Sequence, residues 1–173
     1  MNKVFDATYA RKLAKGHNLK VALRKSKMKG TSLYAAKNIK KGNIIAYYKF
    51  KVFKMATHRQ VKGGMYGMTV YTKKVRESPT LIGDIYPGSM TSPKRGISFW
   101  AYFSNEPATK PKQDENAYLD INVKQNYKDR ARVKVGDTMV YKLRASKNIK
   151  KGEEVVWCYG GSYGRGYPAN CDE

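Results

Sequence analysis

Two short stretches hold residue types whose placement can serve chemistry. Gly30 stands in the turn Met28-Lys29-Gly30-Thr31-Ser32, and a glycine there lets backbone approach a ligand with no side chain in the way. Tyr159 follows Val155-Val156-Trp157-Cys158 and precedes Gly160-Gly161, so a strand end at a turn can present its phenol to a cleft. Other chemistries find no support. His17 and His58 stand far apart without a ligand pattern, and no metal site is expected. Cys158 and Cys171 are too few for a disulfide scaffold or a four-cysteine zinc module, and a reducing compartment is the default expectation. Neither a P-loop nor a Gly-x-Ser-x-Gly elbow is present.

The elements that must position these residues are mostly strands. Asp6 can N-cap a short helix over Ala7–Lys15, with Gly16 at its end. Leu19, Val21 and Leu23 alternate with Lys20, Ala22 and Arg24, which predicts a strand. Further strands are expected over Leu33–Ala36, Asn43–Phe53, Met65–Thr72, Ala117–Val123, Thr138–Ser146 and Glu154–Cys158. Ser78–Pro93, with three prolines and two glycines, reads as loop, and Ile97–Phe103 is an apolar run too short to classify. A near-repeat also appears: Ala35-Ala36-Lys37-Asn38-Ile39-Lys40-Lys41-Gly42-Asn43 matches Ala145-Ser146-Lys147-Asn148-Ile149-Lys150-Lys151-Gly152-Glu153. Two copies so far apart do not make a solenoid.

The chain of 173 residues suits one mostly β domain with a real core. It lacks an apolar run long enough to span a membrane, and no membrane partner is expected. The net charge is +22, and residues 1–62 hold 17 basic residues against one acid. Such a field attracts polyanions, so DNA or RNA is an expected partner of the basic N-terminal half, through Lys20, Arg24, Lys25, Lys27 and Lys29 among others.

The ordered set of motifs resembles the SET domain of protein-lysine methyltransferases. It comprises Gly30-Thr31-Ser32-Leu33, Asn38-Ile39-Lys40-Lys41-Gly42, Phe103-Ser104-Asn105-Glu106-Pro107, Asn116-Ala117 and Glu153-Glu154-Val155-Val156-Trp157-Cys158-Tyr159-Gly160. The compact form is similar to small SET proteins of viruses and microbes. The resemblance implies a basic extension over residues 1–18, a SET-like domain over 19–167 and a tail over 168–173. It also implies small curved β-sheets, a knot-like C-terminal crossing and a short N-terminal helix. The implied activity is methyl transfer from S-adenosylmethionine (SAM) to a lysine of a protein, a histone or another nucleic-acid-associated protein. The alternative is a non-catalytic, basic SET-like protein that binds nucleic acid. The implied cofactor residues are Gly30, Thr31, Ser32, Leu33, Asn105, Glu106 and Tyr159; the implied catalytic residues are Tyr159, Trp157 and Tyr102, with Tyr118 as a further channel residue. Ser32 stands where the family has a second glycine, Glu106 where it has His, and Cys158 where it often has Asp. A basic substrate tail would need acidic contacts, for which Asp114, Glu115, Asp120, Glu153 and Glu154 are the candidates. The implied location is intracellular: nucleus, cytoplasm or virion.

Overall fold

The computed structural model describes residues 6–26, 29–61, 66–72, 76–121, 133–160 and 165–172. The chain opens with α1 (Ala7–Leu13), capped as expected by the Asp6 carboxylate, which accepts from the Thr8 N–H at 2.8 Å. It ends two residues before Lys15, and the Arg11 guanidinium ties it to the Leu23 carbonyl of the first strand at 2.9 Å.

β1 (Val21–Ser26) and β2 (Gly30–Ala35) form an antiparallel pair. A second sheet has the order β4 (Met68–Thr72), β5 (Arg76–Asp84), β3 (Ile44–Lys54), β7 (Thr138–Ala145), β6 (Ala117–Asp120), with antiparallel neighbours. Its centre is β3. Ala46, Tyr48, Phe50 and Val52 face the core while Lys49 and Lys51 lie on the wetter face, so the period-2 pattern sets the register. Tyr141 and Leu143 of β7 meet them from the neighbouring strand.

Two expectations are corrected. β5 runs through the segment read as loop. Pro79 is accommodated because the β4–β5 register shifts opposite it, between Thr69 and Tyr71, and pairing with β3 begins only at Leu81. A proline tolerates such a break where it could not sit in a continuous ladder. Glu154–Cys158 is not a ladder strand: it makes isolated bridges, Glu154 to Tyr34 and Val156 to Asn105. Val155 donates to Leu33 O (2.8 Å), Trp157 donates to Asn105 O (3.1 Å), and Val156 O accepts from Asn116 and Ala117. One extended segment thus binds three distant parts of the chain, which is the knot-like crossing. No helix of the described residues is long and apolar enough to cross a membrane.

Candidate active site

The crossing assembles the site. Gly30 opens β2 at φ +70°, and a Cβ there would meet no heavy atom within 4 Å. Conformation, not crowding, calls for glycine. Two residues on, Ser32 is fully buried, and its Oγ accepts the Asn105 amide at 2.7 Å. The same Nδ2 reaches Thr31 O at 3.4 Å. The Asn105 side chain therefore braces the glycine turn, while its carbonyl holds Trp157. Leu33 is buried beneath.

Tyr159 sits at the other end of the same wall. Its hydroxyl donates to Ser104 O at 2.7 Å, which makes the phenol oxygen an acceptor. Its ring meets Trp157 edge-on, centroids 4.9 Å apart. The Trp157 Nε1 is buried without a hydrogen-bond partner, an orphaned donor in the wall. Tyr102 meets Tyr48 and Tyr66 edge-on, each at 6.1 Å. Burial first, then Tyr66, raises its hydroxyl pKa above the usual phenol range, so it stays protonated. A groove of about 1550 Å³ runs past Thr31, Tyr102, Asn105, Tyr118, Trp157 and Tyr159; of the other expected cofactor residues, Ser32 and Leu33 are buried and Gly30 is exposed, and none of these three lines it.

Glu106, expected to touch a cofactor, has its carboxylate committed elsewhere. The side chain has no exposed surface and accepts from Arg165 Nε (2.7 Å), Arg165 Nη2 (2.7 Å), Tyr167 Oη (3.0 Å) and the Tyr159 N–H (2.8 Å). Burial alone would raise its pKa; the Arg165, Tyr159 and Tyr167 hydrogen bonds and the Arg165 charge outweigh that and lower it. Nearby, Cys158 and Cys171 form a disulfide, which corrects the expectation of reduced thiols. Asn170 adds bonds to Pro107 O and Gln113 O. The tail is thus fastened beside Tyr159 by one carboxylate, one disulfide and one asparagine.

Lys29 also departs from expectation. It lines the groove with its ammonium on Glu106 O (2.9 Å), Gln113 Oε1 (2.7 Å) and the Glu154 carboxylate (3.4 Å), so it is withdrawn from the basic surface. Lys27 lies outside the described residues. Sequence reasoning missed Arg165, Tyr167, Gln113 and the disulfide. The one available signal was that both cysteines fall in the last sixteen residues, astride the glycine-rich tail.

A SET-domain family model matches residues 30–160. The chain belongs to the SET-domain family. No curated protein matches it in sequence. Among solved structures, the SET protein is similar to ATXR5 in complex with histone H3.1: TM-score 0.53, 20% identity, covering 87% of this chain and 60% of that one. A Plasmodium falciparum protein assigned as a histone methyltransferase aligns with TM-score 0.45 and 19% identity, over 84% of this chain and 97% of that one. KRYPTONITE, bound to mCHH DNA, an H3 peptide and SAH, aligns with TM-score 0.47 and 16% identity, over 84% and 24%. At 20% identity the likeness to ATXR5 shows the fold alone. The departures from the family pattern acquire local explanations: Ser32 receives Asn105, Glu106 receives Arg165, and Cys158 receives Cys171.

Proposed function

We propose that this SET-domain protein is a SAM-dependent protein-lysine N-methyltransferase acting on a histone or another nucleic-acid-associated protein. One observation carries the reading: Tyr159, Trp157 and Tyr102 line the same groove as Thr31 and Asn105. The residues present fit SAM. The backbone of Gly30–Leu33 and of Asn105–Glu106 would hold its polar ends, and Trp157, with its orphaned Nε1, would form the wall. When bound, SAM supplies an electrophilic methyl group.

This chain's own residues do the rest. A lysine must attack as a neutral amine although its ordinary pKa is about 10.4. Tyr48, Tyr66, Tyr102 and Trp157 build an aromatic wall that desolvates the amine and favours its neutral form. The Tyr159 oxygen, an acceptor because its proton goes to Ser104, orients the amine N–H. Tyr102 stays protonated and is no general base.

The histone H3.1 complex of ATXR5 supports a lysine-bearing protein substrate. Each acid expected to hold a basic tail also has a partner within the fold. Asp114 accepts from Asn170, Glu115 from the Cys158 N–H, and Glu153 from the Lys150 N–H. Asp120 pairs with Arg144 and Glu154 with Lys29. Asp114, Glu115 and Glu153 bond neutral donors and are exposed, so they stay open to a basic tail, and the +22 charge favours recruitment through nucleic acid besides. Lys20, Arg24 and Lys25 remain candidates for that contact, inside a cell or virion.

The test is transfer of labelled methyl from SAM to lysine-centred peptide pools and to core histones, read by mass spectrometry. Methyl-lysine in any acceptor is the expected result. A folded protein that methylates none of them leaves the non-catalytic alternative.

A further inference from the structure

The near-repeat has no part in the groove, yet the fold brings its two copies together. Ile39 and Ile149 exchange N–H···O bonds of 2.8 Å each way. The Lys41 N–H donates to Asn148 Oδ1 and the Lys151 N–H to Asn38 Oδ1, both at 2.9 Å. The Gly42 N–H donates to Ala145 O and the Gly152 N–H to Ala35 O, both at 2.8 Å. Each of these bonds in one copy has its counterpart in the other, which is a local two-fold relation of the backbone. Each turn closes on a glycine at positive φ, +87° at Gly42 and +92° at Gly152. Their burial runs in step: the isoleucines are buried, and Lys37, Lys40, Lys41, Lys147, Lys150 and Lys151 are exposed.

Six lysines thus crown a hydrogen-bonded double turn. The acid within the two copies is Glu153, also exposed, whose carboxylate accepts from the Lys150 N–H at 3.2 Å. We propose that this paired turn is a binding surface for the phosphate backbone of double-helical DNA. The chemistry points to a duplex backbone rather than to unpaired bases or a bilayer. Neither copy contains an aromatic residue on which an unpaired base could stack. Neither contains an arginine, the usual bidentate reader of guanine edges, so contact is with phosphates and indifferent to sequence. The exposed positions carry no large apolar side chain to enter a bilayer. What remains is a symmetric array of ammonium groups, suited to backbone phosphates of a duplex. The inference does not rest on the methyltransferase reading, and it places the contact in both halves of the chain rather than in the N-terminal half alone.

The two-fold relation makes the test sharp. Binding of a 20-base-pair DNA duplex of mixed sequence is followed by fluorescence anisotropy over a salt series, with circular dichroism as the check on folding. Three proteins are compared with the unmodified chain: Lys40→Ala/Lys41→Ala, Lys150→Ala/Lys151→Ala, and Lys20→Ala/Lys25→Ala. The first two should weaken binding equally, with each lost phosphate contact lowering the slope of log K against log salt by about 0.9. The third should change it less. No binding at low salt, or unchanged binding by both paired-turn variants, would overturn the proposal. So would a loss confined to one copy.

Discussion

The two ends of the groove are held by different kinds of bond. At the glycine-turn end, β2 pairs with β1 over six positions, the crossing segment binds Leu33, and the Asn105 amide braces Ser32. At the tyrosine end, Tyr159 lies beyond the last bridge, at Val156, and its N–H is held by a side chain, Glu106. Glu106, Arg165, Tyr167 and the Cys158–Cys171 disulfide there take the place of a ladder. A ladder spreads its stabilisation over many modest bonds, whereas a buried charge pair concentrates it in a few atoms and fails when one partner is removed. Single substitutions should therefore cost more stability at the tyrosine end.

The largest effect is expected at Glu106. Glu106→Ala removes the buried carboxylate that Arg165 Nε and Nη2 bond and should destabilise the fold by about 3 kcal/mol or more, read by urea unfolding. A loss under about 1 kcal/mol would erase the distinction between the two ends. The sign of the pH dependence follows from the same group. Its folded pKa is depressed, so its stabilisation is complete above the ordinary value of 4.5 and drains away as pH falls below that through the folded value. The unmodified protein should lose more stability on acidification than Glu106→Gln.

Next comes the disulfide. Its 13-residue separation makes reduction, or Cys171→Ser, worth about 3 kcal/mol on a chain-entropy scale. Thermal unfolding with and without a reductant measures this, and coincident curves would assign the tail no part in stability.

Tyr159→Phe sharpens the comparison from the catalytic side. It removes the hydroxyl bonded to Ser104 and should cost about 1 kcal/mol of stability. Turnover should fall by roughly 10²-fold while SAM affinity is nearly kept. Equal single-turnover rates would make Tyr159 a packing residue.

The smallest effect belongs to the braced turn. Asn105→Ala should weaken SAM binding by about tenfold, or 1.4 kcal/mol, through loss of its bonds to Ser32 and Thr31. Unchanged affinity would detach Asn105 from the cofactor end.

The same contrast explains what could be read in advance. Period-2 alternation announced β1 and β3, because one face of each is buried and the pattern is local. The order of the motifs around Gly30, Asn105 and Tyr159 marked segments that the fold brings together: Asn105 bonds Ser32 and Thr31, and Tyr159 bonds Ser104. Pro79 hid β5, since a register shift elsewhere in the sheet makes room for it. Glu106 hid its role because its partner Arg165 lies 59 residues away, and nothing local marks such a pair.

Calorimetric titration of the unmodified protein with SAM tests whether the groove past Thr31, Asn105 and Tyr159 is a SAM site. The account predicts saturable one-to-one binding, weakened about tenfold by Asn105→Ala and nearly unchanged by Tyr159→Phe. Absence of binding by the folded protein at about 1 mM SAM, corresponding to less than about 4 kcal/mol of affinity, would contradict it.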